Sequence, residues 1–168
     1  LDDDMTVTLK AVQAILIYRD LDYRGSFECS DPEINRIWQT AVYTAHLNMQ
    51  EYLWDGVKRD RLVWIGDMQT ILSVFGAQDV VTRSMDLVRD ETPIGTWMNG
   101  ISSYSIWWLL LQHDWYMYTG DRDYLGEQRG YMTELLRLLC TYVGEDGSEQ
   151  LPESRFIDWP NNANEEAK

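Results

Sequence analysis

Between Ile101 and Tyr118 the chain carries a helix-length segment with no continuous polar side. Ile106-Trp107-Trp108-Leu109-Leu110-Leu111 point in every direction around a helix axis, because successive residues are about 100° apart. A helix that is apolar all round must be covered on more than one side. The segment is shorter than the roughly 20 apolar residues that span a bilayer, and Ser103 and Ser105 interrupt its start. What remains is a layered helical architecture, with a two-layered toroid fitting better than a simple bundle. Such a toroid also needs more protein than these 168 residues supply.

The rest of the chain supplies helices to build it. Ser30-Asp31-Pro32-Glu33 is a helix start: Asp31 can cap, Pro32 suits the first turn, and Ser30 with Glu33 has capping-box spacing. Ile34, Ile37, Trp38, Ala41, Val42, Ala45 and Met49 then recur at helical period, predicting about five turns. Further helices are expected near Asp67–Phe75 (ended by Gly76), Gln78–Arg89, Ile101–Tyr118 (ended by Thr119-Gly120) and Asp121–Val143. Tyr52–Gly66, Glu91–Gly100 and Gly144–Ser154 read as loops. Residues 5–18 differ. Met5, Val7, Leu9, Val12, Ile15 and Ile17 alternate like one or two strands, too few for a sheet of their own. The division expected is therefore a short β segment over 1–29, the trailing end of a preceding β-sandwich domain or a small cover on the helices, and a helical domain over 30–168.

Charge narrows the partners. A net charge of −14 disfavours nucleic acid and anionic membranes, which require Lys and Arg against phosphate. Cys29 and Cys140 are far apart with no Cys/His spacing, so no metal site is expected. The 8 Trp and 10 Tyr, against 3 Phe, suit either a large amphipathic core or a site where aromatic faces stack on sugars. His46 and His113 have no partnered motif and read as structural or surface residues.

One loop concentrates chemistry: Trp54-Asp55-Gly56-Val57-Lys58-Arg59-Asp60-Arg61-Leu62-Val63-Trp64-Ile65-Gly66-Asp67. Glycosidic cleavage uses one carboxylic acid to protonate the leaving oxygen and a second carboxylate on the opposite face. Asp55, Asp60 and Asp67 are candidates for such work. The same residues can equally form an Arg–Asp network that ties the loop down over Trp54 and Trp64.

The spacing in this loop resembles the D-C-P-x-R-E/D-x-x-G-W-x-G-D motif of bacterial α-L-rhamnosidases. Asp55 matches its leading aspartate, Arg59 its arginine and Asp60 its acid carboxylate, followed by Trp64 and Gly66-Asp67. Gly56-Val57 stand where the family has Cys-Pro, Asp60 is one methylene shorter than the usual glutamate, and Val63 replaces a glycine. Gly25–Pro32, Gln112–Leu125 and Phe156–Pro160 are similar to other parts of the family's helical domain.

The resemblance implies a mainly α chain forming about half of an (α/α)6 toroid, the six-hairpin glycosidase fold. It implies hydrolysis of terminal α-L-rhamnosides with inversion, the carboxyls roughly 6.5–9.5 Å apart, and no cofactor. Asp60 would be the general acid, with Asp55, Asp67 and Trp64 contacting the sugar and Arg59, Trp97 and Trp159 as further contacts. The family's general base lies in the second half of the toroid, so the chain is expected to need the remainder of the domain. An uncovered toroid edge would favour self-association. A rhamnose-containing glycan is the implied partner, and a periplasmic or extracellular bacterial location is favoured. Two alternatives stay open: another (α/α)6 glycosidase or a lyase, and a non-catalytic aromatic-rich helical module that binds sugar or protein.

Overall fold

A computed structural model describes residues 8–23, 25–69 and 77–151. Among these residues the fold is mainly helical. Helix α1 spans Pro32–Asn48, α2 Gln78–Asp90, α3 Ser102–Thr119 and α4 Arg122–Cys140. Two short 3₁₀ turns, Ile65–Asp67 and Met98–Gly100, lead toward helices. Both turns pack against α2 and α3, and α3 packs against α4. None of the described helices is long and apolar enough to cross a membrane.

Local chemistry sets these boundaries. Asp31 caps α1 by accepting from the Glu33 N–H at 2.8 Å, so the cap is Asp31 rather than the Ser30 box. Asn35 clasps the incoming chain, accepting from the Cys29 N–H and donating to the Cys29 carbonyl, each at 2.8 Å. Gly120, at φ 69°, closes α3 in the left-handed conformation, and its N–H bonds the Tyr116 carbonyl at 2.8 Å. Asp121 then caps α4 through the Tyr124 N–H at 3.0 Å. With cap following cap, α3 and α4 form a tight helical hairpin.

The core lies among α2, α3, α4 and the two turns. Trp108 is fully buried at its centre, donating its indole N–H to the Met85 carbonyl of α2 at 3.0 Å. Met85, Leu111, Met98, Ile65 and Leu135 surround the same interior. A second, polar tie joins α2 to α4. Arg89 pairs with Asp86 at 2.9 Å and donates to Gln128, while Gln128 and Tyr124 donate to Asp86 at 3.0 and 3.1 Å. Gln128 is completely buried, and burial with the neighbouring Asp86 pushes the Tyr124 phenol well above its ordinary value.

Of the β segment expected over 1–29, residues 1–7 and 24 lie outside the described residues; 8–22 have no regular secondary structure, and Tyr23 holds a single bridge position. Leu9, Val12 and Ile15 are 78%, 85% and 84% exposed, so their alternation finds no apolar partner face among the described residues. Polar anchors hold the segment instead. Arg19 pairs with Asp79 of α2, and Tyr18 stacks on His46 of α1 with ring centroids 4.1 Å apart. The Tyr18 and Tyr23 hydroxyls meet His46 Nδ1 at 3.1 and 2.6 Å, while Nε2 faces the Arg19 carbonyl. A carbonyl can only accept, so Nε2 donates to it, while Nδ1 lies against the two phenols. His46 thus fastens the segment to α1.

On α3, Tyr104, Trp108, Leu111 and Trp115 are buried, but Ile106 and Leu110 on another side are exposed, so one side is covered among the described residues. The helix expected over Asp67–Phe75 falls largely on residues 70–76, outside the described residues.

Candidate active site

The loop that follows α1 is held at both ends and at its waist. At its start, the Trp54 N–H bonds the Asn48 carbonyl and the Val57 N–H the Asn48 side-chain oxygen, both at 3.0 Å. Ser84 of α2 accepts from the Leu53 N–H at 2.8 Å and donates to the Val80 carbonyl at 2.7 Å. The Asp55 N–H reaches the Leu62 carbonyl at 3.0 Å, closing residues 55–62 into a compact excursion with Arg59 and Asp60 near its far end. Beyond it, Asn99 donates to the Val63 carbonyl at 2.9 Å and accepts from the Ile65 N–H at 3.1 Å. That pair brackets Trp64 and fixes its backbone.

Gly66-Asp67 has a steric explanation. A Cβ at Gly66 would sit 2.5 Å from the Tyr104 ring, a distance real contacts do not reach. The same ring lies perpendicular to Trp64, centroids 6.0 Å apart, and its hydroxyl donates to Asp67 at 3.0 Å. One aromatic residue from α3 thus seats the glycine, the tryptophan and the third aspartate together. Gly66→Ala should cost about 1–3 kcal/mol of stability through overpacking and move Asp67 from its donor. Urea unfolding checks the first effect. A variant as stable as the parent would show that the Tyr104 ring has room to move.

Arg59 joins the other two carboxylates, its guanidinium 3.2 Å from Asp55 and 3.3 Å from Asp60. The two differ in setting. The Asp60 side chain is 43% exposed, open to an incoming ligand; that of Asp55 is 12% exposed. Asp55 Oδ1 is buried and accepts no hydrogen bond among the described residues. Burial pushes the Asp55 carboxyl above its usual range, Arg59 opposes this, and the charges of Asp60 and Asp67 add to the rise. Asp55 therefore binds its proton more tightly folded than unfolded. Its ionisation lowers stability as pH rises from about 3.9 through the raised value, and the loss persists at neutral pH. Asp55→Asn should unfold at higher temperature than the parent at pH 7. The gap should shrink below about pH 4, where both carry a neutral side chain. Melting curves across pH test this, and a gap that widens on acidification would contradict it.

The structure brings Asp55, Arg59 and Asp60 into one ion-paired set and places Asp67 close enough for its charge to act on Asp55. Trp64 stands beside Asp67 through Tyr104. Trp97 is elsewhere: it lines a neighbouring groove and tilts against Tyr142 at 5.9 Å. Trp159 lies outside the described residues. Sequence reasoning missed Ser84, Asn99 and Tyr104, which position the loop. They come from 31 to 37 residues away, and no local pattern marks them. Cys29 and Cys140 are free, and His113 is an exposed residue against Asp114 at 3.0 Å.

Packed helices presenting carboxylates and a tryptophan from one fixed loop suit a helical glycoside hydrolase domain. Comparison with protein families agrees: the chain belongs to the family of the bacterial alpha-L-rhamnosidase six-hairpin glycosidase domain, whose model matches residues 22–168. No curated protein matches it.

Proposed function

We propose that this chain carries the acid-bearing part of an inverting α-L-rhamnosidase acting on terminal rhamnose units of a glycan or glycoside. The observation that supports it best is the Arg59-bridged pair of Asp55 and Asp60, with Asp67 and Trp64 beside it, at the spacing the rhamnosidase motif uses. Asp60 is the general acid. It gives its proton to the glycosidic oxygen as the bond from that oxygen to the anomeric carbon breaks. Water attacks the anomeric carbon from the opposite face and loses its proton to a carboxylate base, which inverts the configuration.

Asp55 and Asp67 accept from sugar hydroxyls, and Trp64 offers its face to the ring. Arg59 holds the carboxylates in place between turnovers. The family resemblance puts the base in a later part of a six-hairpin domain, so this chain by itself should bind sugar without turning it over.

The test compares an aryl α-L-rhamnoside with aryl glucosides, galactosides and mannosides, using a complete six-hairpin domain that contains these residues and the 168-residue chain alone. Rhamnoside cleavage by the complete domain, with β-rhamnose released first and no cleavage by the chain, is the expected result. Cleavage of a different glycoside would replace the sugar. Retention of configuration would rule out the inverting mechanism, and inactivity on all of them would favour a binding module.

A further inference from the structure

Beside the carboxylate cluster lies a groove of about 530 Å³ whose walls include Tyr52, Trp54, Arg61, Glu91, Trp97 and Asn99. That volume falls in the range of about 300–1,000 Å³ typical of small-molecule sites. Trp54 and Arg61 are the chain neighbours of Asp55 and Asp60, so groove and cluster share one stretch of backbone. None of the three aspartates lines the groove.

Its chemistry suits a carbohydrate. Tyr52, Trp54 and Trp97 are half-buried, each exposing part of a ring. Their orientations are fixed by neighbours: Tyr52 and Trp54 meet edge to face at 5.3 Å, and Trp97 rests on Tyr142. Fixed aromatic faces offer contact area at little cost in side-chain freedom. Arg61 and Glu91, both exposed, bring a cation and an anion to the same walls. A ligand of either net charge would be repelled by one of them, whereas hydroxyl groups donate to one and accept from the other.

The backbone gives an independent sign. Among the described residues, two that are not glycine have positive φ, Arg61 at 51° and Asn99 at 53°, and both line this groove. Asn99 uses its conformation to clamp Val63 and Ile65. Arg61 does no comparable work, since its side chain makes no hydrogen bond or ion pair among the described residues. Holding an arginine in the left-handed region costs about 1–2 kcal/mol, and such strain gathers at functional sites.

We propose that this groove is a second sugar subsite, binding a neutral ring of an oligosaccharide whose terminal unit sits at the Asp55–Asp60–Asp67 cluster. The proposal rests on the glycosidase reading of that cluster. Its test is equilibrium binding to the 168-residue chain, using free L-rhamnose and a neutral disaccharide ending in α-L-rhamnose. The parent should bind the disaccharide about tenfold more tightly than the monosaccharide. Trp97→Ala and Arg61→Gly should each remove most of that gain and leave rhamnose binding unchanged. Trp97→Phe should restore it. Arg61→Gly relieves the left-handed strain, so it should melt no lower than the parent while binding the disaccharide less tightly, which misfolding would not produce. A tenfold preference that survives both substitutions overturns the proposal, as does failure of every neutral disaccharide to bind. If disaccharides ending in glucose or galactose bind with the same dependence on Trp97 and Arg61 while both rhamnose probes fail, the rhamnoside assignment falls and the subsite stands.

Discussion

Asp60→Asn in a complete six-hairpin enzyme should lower kcat/KM by about 10²–10⁴-fold on a rhamnoside whose leaving group is a sugar alcohol. The loss should be far smaller on a nitrophenyl rhamnoside. An alkoxide leaves only with a proton, whereas an acidic phenol departs as its stable anion. Asparagine keeps the size of the side chain, and Arg59 keeps Asp55 as a partner at 3.2 Å. Any change should therefore be chemical rather than structural. Asp55→Asn, by contrast, removes a sugar contact and should slow both substrates to a similar degree. Equal losses on the two substrates for the Asp60 variant would make that residue a binding group and leave the acid to be found among the other carboxylates.

Trp108→Ala should cost about 3–5 kcal/mol of folding stability, the range for deleting a buried large aromatic side chain. Trp108 has no exposed surface, and it packs edge to face with Tyr131, ring centroids 5.2 Å apart. Its indole N–H also satisfies the Met85 carbonyl. Truncation leaves a cavity where α2, α3 and α4 meet and removes that hydrogen bond. Trp107→Ala, one residue earlier and only partly buried, should cost much less. Urea unfolding of the pair gives the comparison, and similar midpoints would mean that the core does not centre on Trp108.

The helices were legible because their signals are local. Asp31-Pro32 and Gly120-Asp121 set caps through contacts within a few residues, and the helical period fills the space between them. The 55–67 loop stands out in the sequence for the same reason, since its motif spacing lies in one continuous stretch. What holds that loop does not. Asn99, Tyr104 and Ser84 act across tertiary contacts, and Gly66 makes sense only with a ring from α3 lying on it. The alternation over residues 5–18 is limited in another way. It records which side chains would share a face if a neighbouring strand existed, and it carries no information about that neighbour. The positive φ at Arg61 is equally silent in sequence, because nothing but the folded backbone shows that an arginine stands where glycine would be at ease.

The Asp86–Arg89–Gln128–Tyr124 cluster has a consequence for assembly. Helices with apolar stripes can slide past one another by a turn and still bury much the same hydrocarbon, and an architecture of repeated hairpins multiplies such near misses. Here a slip of one turn between α2 and α4 would strand a buried amide and a carboxylate without partners, an error of several kcal/mol. The four residues work like the notches of a key. Their contribution lies less in how tightly the helices hold than in how few alternative pairings the chain can accept.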